Sequence, residues 1–546
     1  MLLPSSRRSS WMLVLPAALL LAVGGSAAAQ SKGAAAIRAE DMTFHVQFLG
    51  APEFRGRNTP SVELEVAAKY LALAAQRIGL KPLMPGGSYF QELPLDIARM
   101  SEATSHLRVT TSSSTVSYYA PAAFNPRGRW VAPGSASGGL VLLGLGANAP
   151  TLDWDDFAGL DLKGRVVIVL DAQLPASHAL RQPEGRAIVA RRAALAREKG
   201  AVAVLTVITR EREQGLAAKG LSFDNIERGR PINTEIGLGS TPQPAVFQID
   251  VRHDAAAGLL GVTRAELDRM FDELTQGRRV PSRDIAGRSV DVAVNFDTRK
   301  GATRNVVAVL EGSDPILKRE YVLIGSHHDG VGYREDLVFP GADDNISGAV
   351  AMLSIGQALM VERPKRSVIF VWHTGEEKGL YGAYYFAQNS PVPVEQISAV
   401  LNLDMLSRND PNSIYLIGSN KISSELDNAF KEQNQKTTKL TLDYKYEDPA
   451  HPDRFFFRSD HYPYMRYGIP AVWVFCGTTE DYHQPADTAE RVDYVKMARV
   501  TRLVYAVLME VGNKPALLKL DVDPRITTRG RHNFPVDWQP PAAPRR

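Results

Sequence analysis

The spacing of apolar residues changes character along this chain. Helical periodicity runs through Ser61–Gly79, after a shorter helical stretch at Asp41–Leu49. Gly86-Gly87-Ser88 reads as a turn, and Tyr89–Asp96 and Ser105–Thr110 as strands. Around Pro121 the texture shifts. Short β-like runs, Gly139–Leu145 and Arg165–Leu170, alternate with Gly and Pro turns. The pattern predicts a helix over Arg186–Lys199 and buried strands at Ala201–Ile208 and Ala245–Val251. Ser289–Phe296 and Asn305–Leu310 then open a longer block that extends to about Gly512. Strands and helices alternate there, which predicts a mixed, mainly parallel sheet covered by helices on both faces, an α/β fold.

The ends differ from this core. Arg7 and Arg8 precede an apolar stretch, Trp11–Val23, and the small residues Ala27-Ala28-Ala29. That is the arrangement of a secretory signal peptide, too short to span a membrane. Residues 516–546 carry many Pro and Arg with little periodicity and read as an extended or disordered tail. At 546 residues the chain exceeds one ordinary domain. The expected division is a signal peptide over 1–29, an N-terminal part of the main domain over 30–116, an inserted small α/β domain over 117–275, the main domain over 276–515, and the tail. The charge is close to balanced, at +3. It provides no basic footprint for nucleic acid, and the mature chain has no further apolar run long enough for a membrane span. The location this implies is exported, periplasmic or extracellular. Cys476, the one cysteine, excludes an intrachain disulfide and reads as a small buried residue.

The chemistry concentrates just past the strand-like runs of the long block. Tyr321–Gly325 leads into His327-His328-Asp329, and Ser367–Trp372 into His373 and Glu376-Glu377. Ala399–Leu403 ends at Asp404, and Ala471–Phe475 leads to Tyr482-His483. Asp343-Asp344-Asn345 stands before the helical run Ala349–Met360. Loops at the carboxyl ends of strands form the ligand crevice of an open α/β sheet. Two His and three carboxylates converging there would make a two-zinc site. In an extended segment residues two apart share a side, so His327 is placed as a ligand and Asp329 as the carboxylate that holds a neighbour. A turn into a helix holds Asp344 rigidly, as a bridging ligand requires, while Asp343 supports it or caps the helix. Adjacent Glu376 and Glu377 diverge, so one can bind metal while the other faces the reacting water.

Together, Ser326-His327-His328-Asp329, Pro340–Asn345, Gly375-Glu376-Glu377, Asn402-Leu403-Asp404, Ser459-Asp460-His461 and Tyr482-His483 resemble the zinc exopeptidases of clan MH, the family of secreted bacterial leucyl aminopeptidases. Asp161–Val167 and Lys199–Val204 resemble a protease-associated domain. The resemblance implies two zinc ions per chain. His327 and Asp404 would complete one, Glu377 and His483 the other, and Asp344 would bridge them. Glu376 would be the general base and Asp329 would orient His327. It also implies a peptide substrate, cleaved at its N-terminal residue. Arg458, Ser459, Asp460, His461 and Tyr462 are candidates to touch substrate, with Phe475 and Tyr482 as further candidates for the pocket. The alternatives are a carboxypeptidase of the same clan, for which Arg458 or Arg466 would clamp the substrate carboxylate, and a glutaminyl cyclase-like acyltransferase. The oligomeric state is left open.

Overall fold

The computed structural model describes residues 31–127, 133–232, 234 and 247–530. The leader expected over 1–29 and residues 531–546 of the expected tail lie outside them. Two sheets organise the described residues.

The larger sheet has ten strands. At its centre Ser367–His373, Tyr321–His327, Ile397–Leu403 and Ala471–Phe475 run parallel, side by side in that order. Apart from Tyr321 at the start of its strand, these strands are buried throughout, as near-continuous apolar runs should be in a sheet covered on both faces. Trp372 and His373, neighbours on one strand, point opposite ways. The Trp372 indole donates to Ala349 O of helix Gly348–Val361, and His373 meets Tyr464 of helix His461–Met465. Helices therefore cover both faces. Antiparallel strands flank the parallel centre: Phe296–Leu310 beside Ser367–His373, and Ser413–Ile417 beside Ala471–Phe475.

The helix predicted from Ser61–Gly79 spans Val62–Ile78. The Ser61 hydroxyl caps it, and Gly79 ends it in the left-handed region. Helix Gly348–Val361 is apolar around nearly its whole circumference. That is what a helix packed between the sheet and the helices Ala39–Leu49, Val62–Ile78 and Tyr494–Asn513 requires.

The smaller sheet has eight strands, from His106–Thr110 to Arg283–Val294 in chain order. Gly134–Leu142, Val166–Leu170, Ala203–Val207 and Phe247–Val251 form its parallel centre. Its extent corrects the boundaries read from sequence. Arg283–Val294 belongs here and not with the main domain, and the sheet begins before residue 117. The alternation in Arg283–Val294 marks a half-buried strand, and periodicity does not say which sheet such a strand joins. The helix expected over Arg186–Lys199 is two helices, Pro183–Ala190 and Arg192–Glu198, broken at Arg191.

A two-stranded ribbon joins the sheets. Phe90–Met100 pairs with Phe296–Leu310 over eleven rungs, and at its far end both chains pass into the smaller sheet. A strand from the middle segment, Arg228–Pro231, returns to pair with Phe90–Met100 at the edge of the larger sheet.

Residues 516–530, expected as part of a loose tail, pack on the main body. Leu518 and Ile526 are buried, and Gly530 N donates to Tyr467 O. Single apolar anchors can dock a segment that shows no periodicity. No helix among the described residues is long and apolar enough to cross a membrane.

Candidate metal centre

The four parallel central strands end on one edge, and the segments leaving that edge carry the ionisable set. His327 is the last residue of its strand. Thr374-Gly375 follows Ser367–His373 and delivers Glu376 and Glu377. Asp404 directly follows Ile397–Leu403, and His483 sits in the loop after Ala471–Phe475. Asp344 lies in the turn that opens helix Gly348–Val361. That turn needs Gly341, at φ 59°, where an added Cβ would stand 2.2 Å from Asp344 O.

Two clusters result. His327, Glu376 and Asp404 bring ligand-type atoms within 4.8 Å of one another, and so do Asp344, Glu377 and His483. Asp344 links the two. One of its oxygens is 3.4 Å from His327 Nε2 and the other 3.0 Å from His483 Nε2. Asp404 Oδ1 is also 3.4 Å from His327 Nε2, Glu377 Oε1 is 3.0 Å from His483 Nε2, and Glu376 stands further back, 3.9 Å from His327 Nε2.

Buried polar atoms are normally paired, yet His327 Nε2, Asp404 Oδ1 and Glu377 Oε1 are buried and make no hydrogen bond to the described residues. Imidazole nitrogens and carboxylate oxygens converging in this way fit a divalent cation. Burial opposes ionisation of Asp344, but His327 and His483 outweigh it and hold its carboxyl below the ordinary range. Burial likewise works against charging His483, yet the Asp344 and Glu377 carboxylates carry it up to about 10. Burial pushes Glu376 well above the ordinary carboxyl value, and Glu377 and Asp404 add to the effect.

A second layer fixes these groups, and part of it departs from the sequence reading. The Asp329 carboxylate accepts the backbone N–H of Glu376 at 3.1 Å and of Glu377 at 3.3 Å, and the Thr59 hydroxyl at 3.2 Å. Toward His327 it is the Asp329 main-chain oxygen that lies closer to Nδ1, at 3.2 Å, with the carboxylate at 3.7 Å. The Asp329 side chain therefore holds the Glu376-Glu377 turn at least as directly as it orients His327. Asp343 does not cap the helix. It accepts both the N–H and the hydroxyl of Ser407. The Asp487 carboxylate accepts the N–H groups of Asp343 and Asp344, each at 3.0 Å. Asn345 donates to Leu403 O and accepts from Met405 N, bracing the residues on either side of Asp404.

The cavity at the centre is walled by Met405, Phe455, Arg458, Trp473, Phe475 and Tyr482. Arg458, Phe475 and Tyr482 are thus placed where the sequence reading puts them. Ser459, Asp460, His461 and Tyr462 are not, and their assignment to substrate is corrected. Ser459, Asp460 and His461 are fully buried, because the chain after Arg458 turns inward beneath the strand ends. The Ser459 hydroxyl donates to Asp404 and accepts from Asn402. Asp460 pairs with His373 Nδ1 at 3.1 Å, His461 lies against Trp473, and Tyr462 packs on Phe456 and Phe457. Arg466 terminates the short helix His461–Met465 and is not among the residues lining the cavity.

Arg57 is a residue that the sequence did not single out. It is fully buried and donates to Leu49 O, His328 O, Pro340 O and Gly341 O, tying the segment after His327 to the turn before Asp344. A lone arginine between Gly56 and Asn58 carries no periodic signal.

The profile of peptidase family M28 matches residues 305–508. This segment belongs to peptidase family M28. All six clustered side chains fall inside the M28 segment. A probable leucine aminopeptidase 2 from Arthroderma benhamiae is 25% identical over 281 residues, covering 44% of this chain and 53% of that protein. A probable leucine aminopeptidase 2 from Aspergillus oryzae is 32% identical over 192 residues, 35% of this chain and 36% of that protein. The chain spans about half the length, or less, of these curated relatives. Among solved structures, an aminopeptidase from Aneurinibacillus sp. strain AM-1 superposes with a TM-score of 0.51 at 18% identity, over 91% of this chain and 98% of that one. A zinc aminopeptidase from Bacillus subtilis gives 0.53 at 15% identity, over 89% and 99%. At such identities the likeness establishes the fold.

Proposed function

We propose that this protein is an exported two-zinc aminopeptidase that removes N-terminal residues, apolar ones first, from peptides with a free amine. The observation that carries this reading is the placement of Asp344, with one carboxylate oxygen facing each histidine nitrogen. His327, Asp404 and Asp344 would hold one zinc ion, and Glu377, His483 and Asp344 the other. Such a pair lowers the pKa of bound water and polarises a carbonyl.

The chain's own part follows from position. Glu376 lies on the cavity wall, just outside the closest nitrogen–oxygen contacts. It accepts the proton of the attacking water at its carboxylate and returns it to the leaving amine. Asp344, Glu376 and Asp404 line the cavity and make its floor acidic, which suits a substrate ammonium or amine. Met405, Phe455, Trp473 and Phe475 offer an apolar wall to the first side chain. Arg458, the cation a carboxypeptidase would need, is committed to that wall. It donates to the Tyr482 hydroxyl and lies over the Phe455 ring at 4.8 Å. We read the smaller sheet as a protease-associated domain that shapes access.

Zinc content and a panel of blocked peptides test this together. About two zinc ions per chain are expected, with loss of activity on chelation and recovery on zinc addition. N-acetylation should abolish cleavage and C-terminal amidation should not. Full turnover without metal refutes the mechanism, and the opposite blocking pattern makes the enzyme a carboxypeptidase.

A further inference from the structure

A charged cavity beside the parallel strands of the smaller sheet plays no part in the chemistry above. It encloses about 440 Å³ and shares no lining residue with the cavity at the metal centre. It opens beside Asp171, just past the end of Val166–Leu170, and Thr206 in Ala203–Val207. That is the end of a parallel sheet where α/β folds take ligands, and the volume lies in the range of small-molecule sites. Its lining holds four arginines, Arg127, Arg181, Arg186 and Arg192, against one carboxylate, Asp171. Leu145, Leu174, Leu180 and Val189 supply an apolar wall. Guanidinium groups around an apolar recess suit a carboxylate carried on an aliphatic body.

A chain of ion pairs runs from this cavity to the metal centre's own loop. Arg192 pairs with Asp171 at 2.8 Å, and Asp171 with Arg127 at 3.1 Å. Arg127 shares itself with Asp250 at 3.2 Å, Asp250 pairs with Arg212 at 3.1 Å, and Arg212 reaches Glu335 at 2.7 Å. Glu335 sits in the turn of the hairpin formed by Gly332–Arg334 and Leu337–Phe339, in the segment that connects Asp329 to Asp344. Lys219–Asp336 and the bond from Glu335 N to Asp224 dock the same turn on the same domain.

We propose that this cavity is a second ligand site for carboxylates on an apolar body, with the C-terminal residues of a peptide as the fitting class, and that the ion-pair chain makes its occupancy felt at the hairpin. An anion that draws on Arg127 weakens its hold on Asp250. Asp250 then takes a larger share of Arg212, and Glu335 loses it. The hairpin loosens, and the residues on either side of it lose their fixed placement. Residues lying between two sites do not by themselves establish coupling, so the link is tested separately from the site.

The probe is N-acetyl-Leu-Leu with a free carboxylate, compared with its C-terminal amide, titrated calorimetrically into the full chain. One molecule should bind per chain, at least tenfold more tightly than the amide. The variant Arg181→Ala/Arg186→Ala, which changes two exposed arginines at the mouth, should weaken it at least tenfold. No heat up to millimolar probe, equal binding of the amide, or binding unchanged in that variant overturns the site. This arm reads binding of an N-blocked compound, so it stands or falls apart from the proposed hydrolysis. The activity arm rests on that hydrolysis. Saturating probe should lower kcat/KM for a leucyl anilide at least twofold. The drop should vanish in Arg181→Ala/Arg186→Ala and in Arg212→Met, which should still bind the probe. Glu335→Gln serves as the second variant, on the hairpin side. A drop that persists in Arg181→Ala/Arg186→Ala is competition at the metal centre, and one that persists in Arg212→Met or Glu335→Gln shows that the chain carries nothing. Either result overturns the link.

Discussion

Arg57 offers the sharpest test of how the centre is held together. Its guanidinium is fully buried and spends four hydrogen bonds, of 2.8–3.1 Å, on main-chain oxygens of three separate segments. Burial pulls its pKa down to about 10, while Asp329, Asp487, Asp344 and Glu377 work in the other direction. It therefore stays charged at neutral pH and offsets part of the acidic cluster. In Arg57→Met the shape is roughly kept and all four donors are lost. A bond from a charged donor contributes about 1.5–3 kcal/mol, so four of them set a ceiling of ~6–12 kcal/mol. Recovering the cost of desolvating the guanidinium cuts that sharply, and breaking a buried charged group away from its partners typically costs about 3–5 kcal/mol. That is the expected loss of stability. Where the variant still folds, the segments bearing His327 and Asp344 lose their common tie. A misplacement on the order of 1 Å costs about 100-fold in rate, which is the expected fall in kcat/KM for a leucyl anilide. Arg57→Lys keeps the charge but presents its donors from a single point, so it should recover part of the stability and little of the rate. Thermal unfolding and anilide kinetics on the three proteins decide the matter. A methionine variant within about 1 kcal/mol of the parent, with unchanged kinetics, refutes the reasoning.

The other tests are brief. Glu376→Gln should keep its zinc and lose several orders of magnitude in kcat, whereas Glu377→Ala should lose zinc. Equal zinc content in the two variants contradicts the division of roles. Ser459→Ala removes the hydroxyl that donates to Asp404. It should weaken zinc retention by about 10–100-fold, as supporting groups around metals do, with little change in the side-chain preference that a substrate contact would move. Burial pushes Glu447 from 4.5 up to about 7, with Lys421 pulling the other way from 3.8 Å. A carboxyl raised on folding stabilises fully below its unfolded value and loses that contribution as pH climbs through its folded value. Relative to Glu447→Gln, the parent should lose about 3 kcal/mol between pH 4.5 and 7.5, read from urea midpoints. Parallel curves for the two proteins contradict it.

Much of the centre was legible because of where the residues stand. Apolar runs such as Ser367–Trp372 can only be buried strands or buried helix, and a polar cluster directly after each run marks the strand end. What the sequence concealed is direction and contact. Ser459-Asp460-His461 sits near Arg458 in the chain, so it reads as cavity wall, yet the turn points its side chains under the strands to hold Asp404 and His373. Arg57 binds main-chain oxygens, and main-chain partners leave no trace in residue identity. Arg283–Val294 has a clear strand pattern, but sheet membership depends on pairing partners far away in sequence, here His106–Thr110 and Gly134–Leu142.

In the proposed mechanism the adjacent glutamates of one short motif take two roles. Nothing in the residue type distinguishes Glu376 from Glu377. The Asp329 carboxylate accepts the N–H of both, one on each oxygen, so the turn cannot rotate to exchange them. With the backbone fixed, consecutive side chains must diverge. Glu377 reaches the His483 side of Asp344 at 3.0 Å from the imidazole nitrogen, and Glu376 is left 3.9 Å from His327 on the cavity wall. A base has to stand where a water can reach it and close enough to the cations to feel their charge, without surrendering both oxygens to them. In that mechanism Asp329 would serve chiefly by denying the turn a second arrangement. Its own position rests on Thr59, from the N-terminal part of the chain, which is the same part that supplies Arg57.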